Sequence, residues 1–362
     1  MIMVVFGAGA SYDSNPSAAS EQTNVLSSYE QSLEAARMPL ANELFQDREM
    51  FDKKLSRYPR CHPIVPYLRL TNRVEQILQG FLNEVNTDPK RHQQLAAIQY
   101  YLHDMIWECE DQWLRFANNI TNHITLLDQL RKVEKDGICL VTFNYDRLIE
   151  HALRSVDVDI REIPDYVSHK NYKLIKLHGS IDWAHEVENL PIPLGNIVED
   201  NVPREIIDQI SETSIKDNYQ IVDKHPMTTY VKEYKRIHMG EEKIYDRERV
   251  ALYPAIAIPV QRKNNFECPP SHVNILKEMI PTVDKILVIG WRATEIPFLK
   301  LKSDNLVPQW DKRKCLVVTE SNSSSLGTIK NLEDAGVKAA YENFDSGFST
   351  FVLQKKVDEF LS

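Results

Sequence analysis

The chain has few glycines, no closely paired cysteines, no long apolar run and no excess of basic charge, and each lack removes a class of protein. Eleven glycines in 362 residues fall well below the average usage of about 7%. With 18 prolines and no biased tract, the composition excludes collagen-like, low-complexity and wholly disordered chains. The five cysteines (Cys61, Cys109, Cys139, Cys268, Cys315) are odd in number and scattered, with no Cys-x-x-Cys. That spacing signals neither a disulfide framework nor a thiolate zinc site. Cys139 and Cys315 lie in apolar runs and are expected to pack as small hydrophobes. No segment reaches 18 consecutive apolar residues, so no transmembrane helix is expected. Residues 1–6 are apolar but lack the basic flank and length of a signal peptide, so the expected location is cytoplasmic. Lys and Arg number 43 against 52 Asp and Glu, a net charge of −9, which argues against direct nucleic-acid binding. The basic run 231–238 is expected to be a solvated face.

What the chain does contain is a set of short, continuous apolar runs separated by helical patterns. Strands are expected at about 2–6, 137–143, 172–177, 285–289, 314–319 and 337–341, with a C-terminal helix near 347–361. Continuous apolar strands alternating with helices predict a parallel α/β sheet covered on both faces. Between the first two strands, Val74, Ile77, Leu78, Phe81 and Leu82 recur at helical spacing, followed by Leu95, Ile98, Tyr101, Leu102, Met105, Ile106 and Trp113. The expected organisation is therefore a Rossmann-like domain from 1–36 and 137–362, with a helical subdomain at 37–136 inserted in it and a polar insertion at about 186–250.

Three motifs fall at strand ends. Val4-Val-Phe-Gly-Ala-Gly-Ala-Ser11 ends a strand in small residues that let backbone approach a phosphate. Tyr12 stands at the last glycine of G-x-G-x-x-G, and no Gly-Lys-Ser/Thr follows, so it is neither a dehydrogenase fingerprint nor a Walker loop. A ligand-free strand–helix turn is the alternative. Val141-Thr-Phe-Asn-Tyr-Asp146 places Asn144 and Asp146 at a strand's carboxyl end, where open α/β sheets bind ligands; a helix cap is the alternative. Ile175-Lys-Leu-His-Gly-Ser-Ile-Asp-Trp183 does the same for His178, a general base near neutral pH or a satisfied turn histidine. His185, Arg292 and Glu295 are expected at the surface.

Taken in order, Gly-Ala-Gly-Ala-Ser, Thr-x-Asn-Tyr-Asp and Leu-His-Gly-Ser resemble the sirtuin-like family, and most closely the prokaryotic sirtuin-like NAD-hydrolysing effectors of anti-phage defence. Leu287-Val-Ile-Gly-Trp-Arg-Ala-Thr294 looks like that family's later ribose-side loop, and Val317-Val-Thr-Glu320 falls where the adenosine half is held. The resemblance implies a Rossmann-like domain binding NAD, with a smaller inserted domain, and NAD as substrate. Gly7, Ala8, Gly9, Ala10 and Ser11 would lie at the pyrophosphate, and Asn144 and Asp146 near the nicotinamide ribose and carboxamide. His178 would lie at the ribose hydroxyls, and Gly290, Thr294, Thr319 and Glu320 along the rest of the dinucleotide. Deacylases of the family carry a zinc ribbon with two cysteine pairs soon after His-Gly; here no cysteine follows His178 until Cys268, so no metal is expected and deacylation is disfavoured.

The implied activity is an NAD glycohydrolase, with Asn144, His178 and Asp146 as catalytic residues. Alternatives are a non-catalytic module sensing NAD or ADP-ribose, and an NAD-dependent deacylase or ADP-ribosyltransferase. The first strand begins at residue 2 and the last helix reaches the terminus, leaving no length for an appended sensor. Gating by an operon-encoded partner protein or by homo-oligomeric assembly is therefore expected.

Overall fold

The computed structural model describes residues 1–15, 36–70, 73–84, 88–133, 136–187, 234–237, 251–260, 266–304 and 313–362. The expectation for the insertion at 186–250 falls almost wholly outside them. The chain divides into two compact units. The first comprises 1–40, 109–179 and 262–362, and the second 41–108 and 180–261.

The first unit is built on a six-stranded parallel sheet. Its strands are β1 (Ile2–Phe6), β2 (Ile138–Thr142), β3 (Tyr172–Lys176), β7 (Lys285–Ile289), β8 (Lys314–Val318) and β9 (Ala340–Phe344), in the order β3-β2-β1-β7-β8-β9. Every pairing among them is parallel and in continuous register. β1 and β2 are buried at every residue, as a strand covered on both faces must be. At about 1.5–3 kcal/mol per fully buried Val, Leu or Ile side chain, these runs dominate the sheet's stability. The fold is thus the expected Rossmann-like α/β sheet. The chain winds from β1 outward to β3 on one side, and from β7 outward to β9 on the other. The order therefore reverses between β1 and β7, the place where open α/β sheets bind ligands.

Three local expectations need correction. The last strand begins three residues later than expected, because Val337 turns inward after the helix Asn322–Asp334 and is 4% exposed. The C-terminal helix is two helices, Gly347–Leu353 and Lys356–Leu361, broken where Lys355 adopts φ 54°. The helices do not all segregate as the 37–136 boundary expects, since Asn122–Val133 belongs to the first unit.

The second unit combines helices with a three-stranded sheet in the order β5-β4-β6: β4 (Gly179–Val187), β5 (Lys235–Arg236) and β6 (Ala251–Ile256). Only Gly179 of β4 falls in the first unit. Within the second unit, the long helix Pro89–Phe116 contributes Gln99 and Tyr100, which donate to the carbonyls of Ile256 and Leu252 at 2.8 and 2.7 Å. Of the basic run 231–238, residues 234–237 are described. Arg236 there is not solvated but 7% exposed and paired with Asp182 at 2.8 Å. His185 is likewise not at the surface: it is 8% exposed, with its ring 4.6 Å from that of Tyr234. All five cysteines are free and buried.

Candidate active site

The carboxyl ends of β1, β2 and β7 meet at the reversal point. Gly7 ends β1 and starts the short helix Ala8–Tyr12. Its N–H donates to Ile289 O at 3.0 Å, and Gly9 N–H donates to Gly290 O at 3.1 Å. The glycines serve this approach of two backbones. A Cβ on Gly7 would sit 2.6 Å from Gly290 O, and one on Gly290, whose φ is +59°, would sit 2.3 Å from Ala10 N. The N–H groups of Gly7, Gly9 and Ala10 are thereby engaged within the fold; Ala8, the first helical residue, has no intrahelical acceptor for its own.

The side chains expected from the second motif converge on this turn. Asn144 Nδ2 donates to Gly7 O at 2.9 Å and to Ser11 Oγ at 2.8 Å. Ser11 Oγ in turn donates to Asp146 Oδ2 at 2.6 Å. Asp146 Oδ1 accepts from Leu148 N–H at 3.2 Å, the first residue of the helix Leu148–Arg154. Ser11, Asn144 and Asp146 are 3%, 8% and 5% exposed. Both amide protons of Asn144 are committed to this network. Among the described residues nothing donates to its Oδ1, which leaves an acceptor at the reversal point. Burial pushes the Asp146 carboxyl up to about 6, with nearby Lys176 lowering it and Glu110 raising it.

His178 stands at the carboxyl end of β3, 7% exposed, its ring 5.0 Å from Phe143 and 6.4 Å from Tyr145. Phe143 stacks on Trp291 at 5.1 Å, and both meet Phe298 edge-on at 5.5 Å. Trp291 Nε1 donates to Glu295, which also accepts from Thr294 N–H at 3.1 Å. Glu295 is therefore an internal anchor of the loop after β7. Thr294 points its hydroxyl to the same carboxylate, at 3.4 Å.

The remaining expected residues are dispersed. Thr319, at the end of β8, is 9% exposed, and its hydroxyl bonds Ser321 O at 2.8 Å and Ser325 Oγ at 2.6 Å. Glu320 beside it is exposed. The structure thus brings Gly7, Gly9, Ala10, Ser11, Asn144, Asp146 and Gly290 together, sets His178 beside Phe143, and leaves Thr319 and Glu320 one strand further out.

No family model and no curated protein matches the chain. Solved structures of Sir2 proteins are similar over its whole length. A Sir2 homologue in complex with NAD is 13% identical, with a TM-score of 0.40, covering 100% of this chain and 90% of the other. A Sir2 homologue variant with 2′-O-acetyl ADP ribose is 13% identical at a TM-score of 0.44, covering 100% and 93%. Sir2Tm bound to a propionylated peptide is 12% identical at 0.37, covering 100% and 94%.

Two residues of the site escaped the sequence reading. Lys176 is 0% exposed, and its Nζ donates to Asp146 O and, at 2.9 Å, to Glu150 Oε1. Glu110, also 0% exposed, accepts from Arg147 N–H and, at 2.8 Å, from Arg147 Nε. Burial raises the Glu110 carboxyl, but Arg147 and His151 outweigh it and hold the group down at about 2. A lysine inside an apolar strand was the available signal, since a buried ammonium must find a partner. Among the described residues no cluster of metal-ligating side chains occurs.

Proposed function

We propose that the chain cleaves NAD at the bond between nicotinamide and ribose, releasing nicotinamide and ADP-ribose. The observation that carries this reading is the meeting of Gly7–Ser11, Asn144 and Asp146 at the reversal point of a parallel sheet, with Asn144 Oδ1 left as an open acceptor. Nicotinamide is a cationic leaving group, so the bond to C1′ breaks through an oxocarbenium-like state without acid assistance. Water forms the new C1′–O bond as the C1′–N bond breaks, and the departing pyridine keeps the electron pair. Asn144 Oδ1 accepts a hydrogen bond from the attacking water or a ribose hydroxyl. His178 polarises a ribose hydroxyl or takes the water's proton. The Asp146 carboxylate, bound to Ser11 and to Leu148 N–H, offsets developing positive charge without touching the ligand. Ala8 N–H is the backbone donor open to the pyrophosphate.

A role as a toxic effector in anti-phage defence, gated by a partner or by assembly, is the biological form this activity takes in the proteins whose motifs the chain resembles. One observation favours a second reading, binding without turnover: the Ser11 hydroxyl, both Asn144 amide protons and both Asp146 oxygens have internal partners. Incubating the purified protein with NAD, alone and with the product of the neighbouring gene, separates the two. Hydrolysis predicts nicotinamide release that falls on the order of 100-fold or more in both Asn144→Ala and His178→Ala. NAD binding by calorimetry with no release under either condition establishes the second reading.

A further inference from the structure

The backbone between the two proposed catalytic positions and the helix behind them is gripped in an unusual way. The Asp146–Arg147 peptide unit has its carbonyl oxygen held by the buried ammonium of Lys176 and its N–H held by the buried carboxylate of Glu110. The two ions come from different elements, β3 and the helix Pro89–Phe116, and each is anchored again. Lys176 bonds Glu150, which also accepts from Tyr166 OH at 3.0 Å, and Glu110 bonds the Arg147 guanidinium. One residue upstream of Tyr145, Asn144 N–H donates to Thr142 Oγ1 at 3.0 Å. Burying two ions is costly, and the protein places them on one peptide bond whose dipole lies between them. A neutral cap would hold the helix as well.

We propose that Lys176 and Glu110 are positioning residues that clamp the Asp146–Arg147 peptide from both ends, fixing Asn144 Oδ1 and the Asp146 carboxylate for bond cleavage. The proposal deepens the NAD-cleaving reading and rests on it. The ions also act on Asp146 with opposite sign, Lys176 favouring its ionised form and Glu110 its neutral form. Ionisable groups on the packed elements include Arg147 and Asp111 beside Glu110, Glu150, His151 and Arg154 on the following helix, Tyr166, Tyr172 and Lys173 on β3, and Tyr145 and His178; helix Ala8–Tyr12 brings Tyr12, with Asp13 after it.

The test uses the full chain carrying K176M or E110Q, with native folding checked by circular dichroism. Because K176M strands the Glu150 carboxylate, K176M/E150Q serves if the single variant does not fold. Displacing the clamped turn by a fraction of an ångström is expected to lower kcat on the order of 100-fold while NAD affinity by calorimetry stays within about three-fold. The acid limb of the rate profile, set by ionisation of Asp146, should move to higher pH in K176M and to lower pH in E110Q. A purely structural role predicts no such opposition. Shifts in the same direction, no shift, or a loss confined to NAD affinity would overturn the proposal. If the wild-type protein releases no nicotinamide, either alone or with the product of the neighbouring gene, the cleavage reading fails separately. The clamp is then read in Tm against pH, with D146N as the reference lacking the titration. The Asp146-dependent decline should again move up in K176M and down in E110Q, and coincident profiles overturn it.

Discussion

At the residue scale, the glycines of the reversal point hold two backbones together, and this can be measured by contrast. Gly290 combines φ +59° with a Cβ position 2.3 Å from Ala10 N. Gly290→Ala therefore meets both backbone strain and a backbone clash, and is expected to destabilise by about 3 kcal/mol or more. Gly80, in the helix Val74–Glu84, has nothing within 4 Å of its Cβ position. Gly80→Ala is expected to stabilise by roughly 0.5–1 kcal/mol. Urea unfolding of the two variants checks the pair, and equal midpoints would remove the close-approach argument. These residues also show what was legible. Gly7, Asn144, Asp146 and Gly290 were readable because the end of an apolar strand marks the carboxyl edge of a sheet. The network among Ser11, Asn144 and Asp146 was not, because its partners are 133 to 135 residues apart and no spacing rule connects them.

At the element scale, the parallel strands were readable because burial on both faces writes an unbroken apolar run. The three-stranded sheet of β4, β5 and β6 was not: β5 is two residues long, and β4 follows His178 directly, so the histidine motif concealed a strand start. β9 was misplaced because its residues alternate between exposed and half-buried and carry little apolar signal. The helix Asn122–Val133 raises a separate point. His123 is 1% exposed, its ring lies 5.4 Å from Phe6 and 5.3 Å from Phe348, and among the described residues neither ring nitrogen has a partner. Burial drives its imidazole down to about 3, well below the ordinary value. The folded protein thus binds fewer protons at this site than the unfolded chain below about pH 6.5, and stability is lost as pH falls from there towards 3. His123→Leu keeps the packing and removes the unpartnered nitrogens. It is expected to raise Tm at pH 7.5 and to widen that gain at pH 5. A gain that shrinks on acidification would show that the imidazole has a partner when protonated.

At the scale of the whole molecule, the separation of the chain into a sheet-bearing unit and a helical unit with its own small sheet was foreseeable only in outline. Helical spacing marks where 41–108 enters, but the polar stretch at about 186–250 carries no sign that residues 180–261 return to the same unit. The molecule also carries a functional consequence of its proposed chemistry. If the chain hydrolyses NAD as proposed, unrestrained turnover would deplete its own cell, and the proposal carries with it that turnover is withheld until a signal arrives. If the signal is assembly, turnover per chain rises with protein concentration, because only the associated fraction is active. If it is a separate partner, turnover per chain is low and constant until that partner is added, then saturates with it. Specific activity over a 100-fold range of concentration, read beside mass by light scattering, distinguishes the two. A lone chain showing full, concentration-independent turnover would refute gating of either kind while leaving the catalytic assignment of Asn144 and His178 in place.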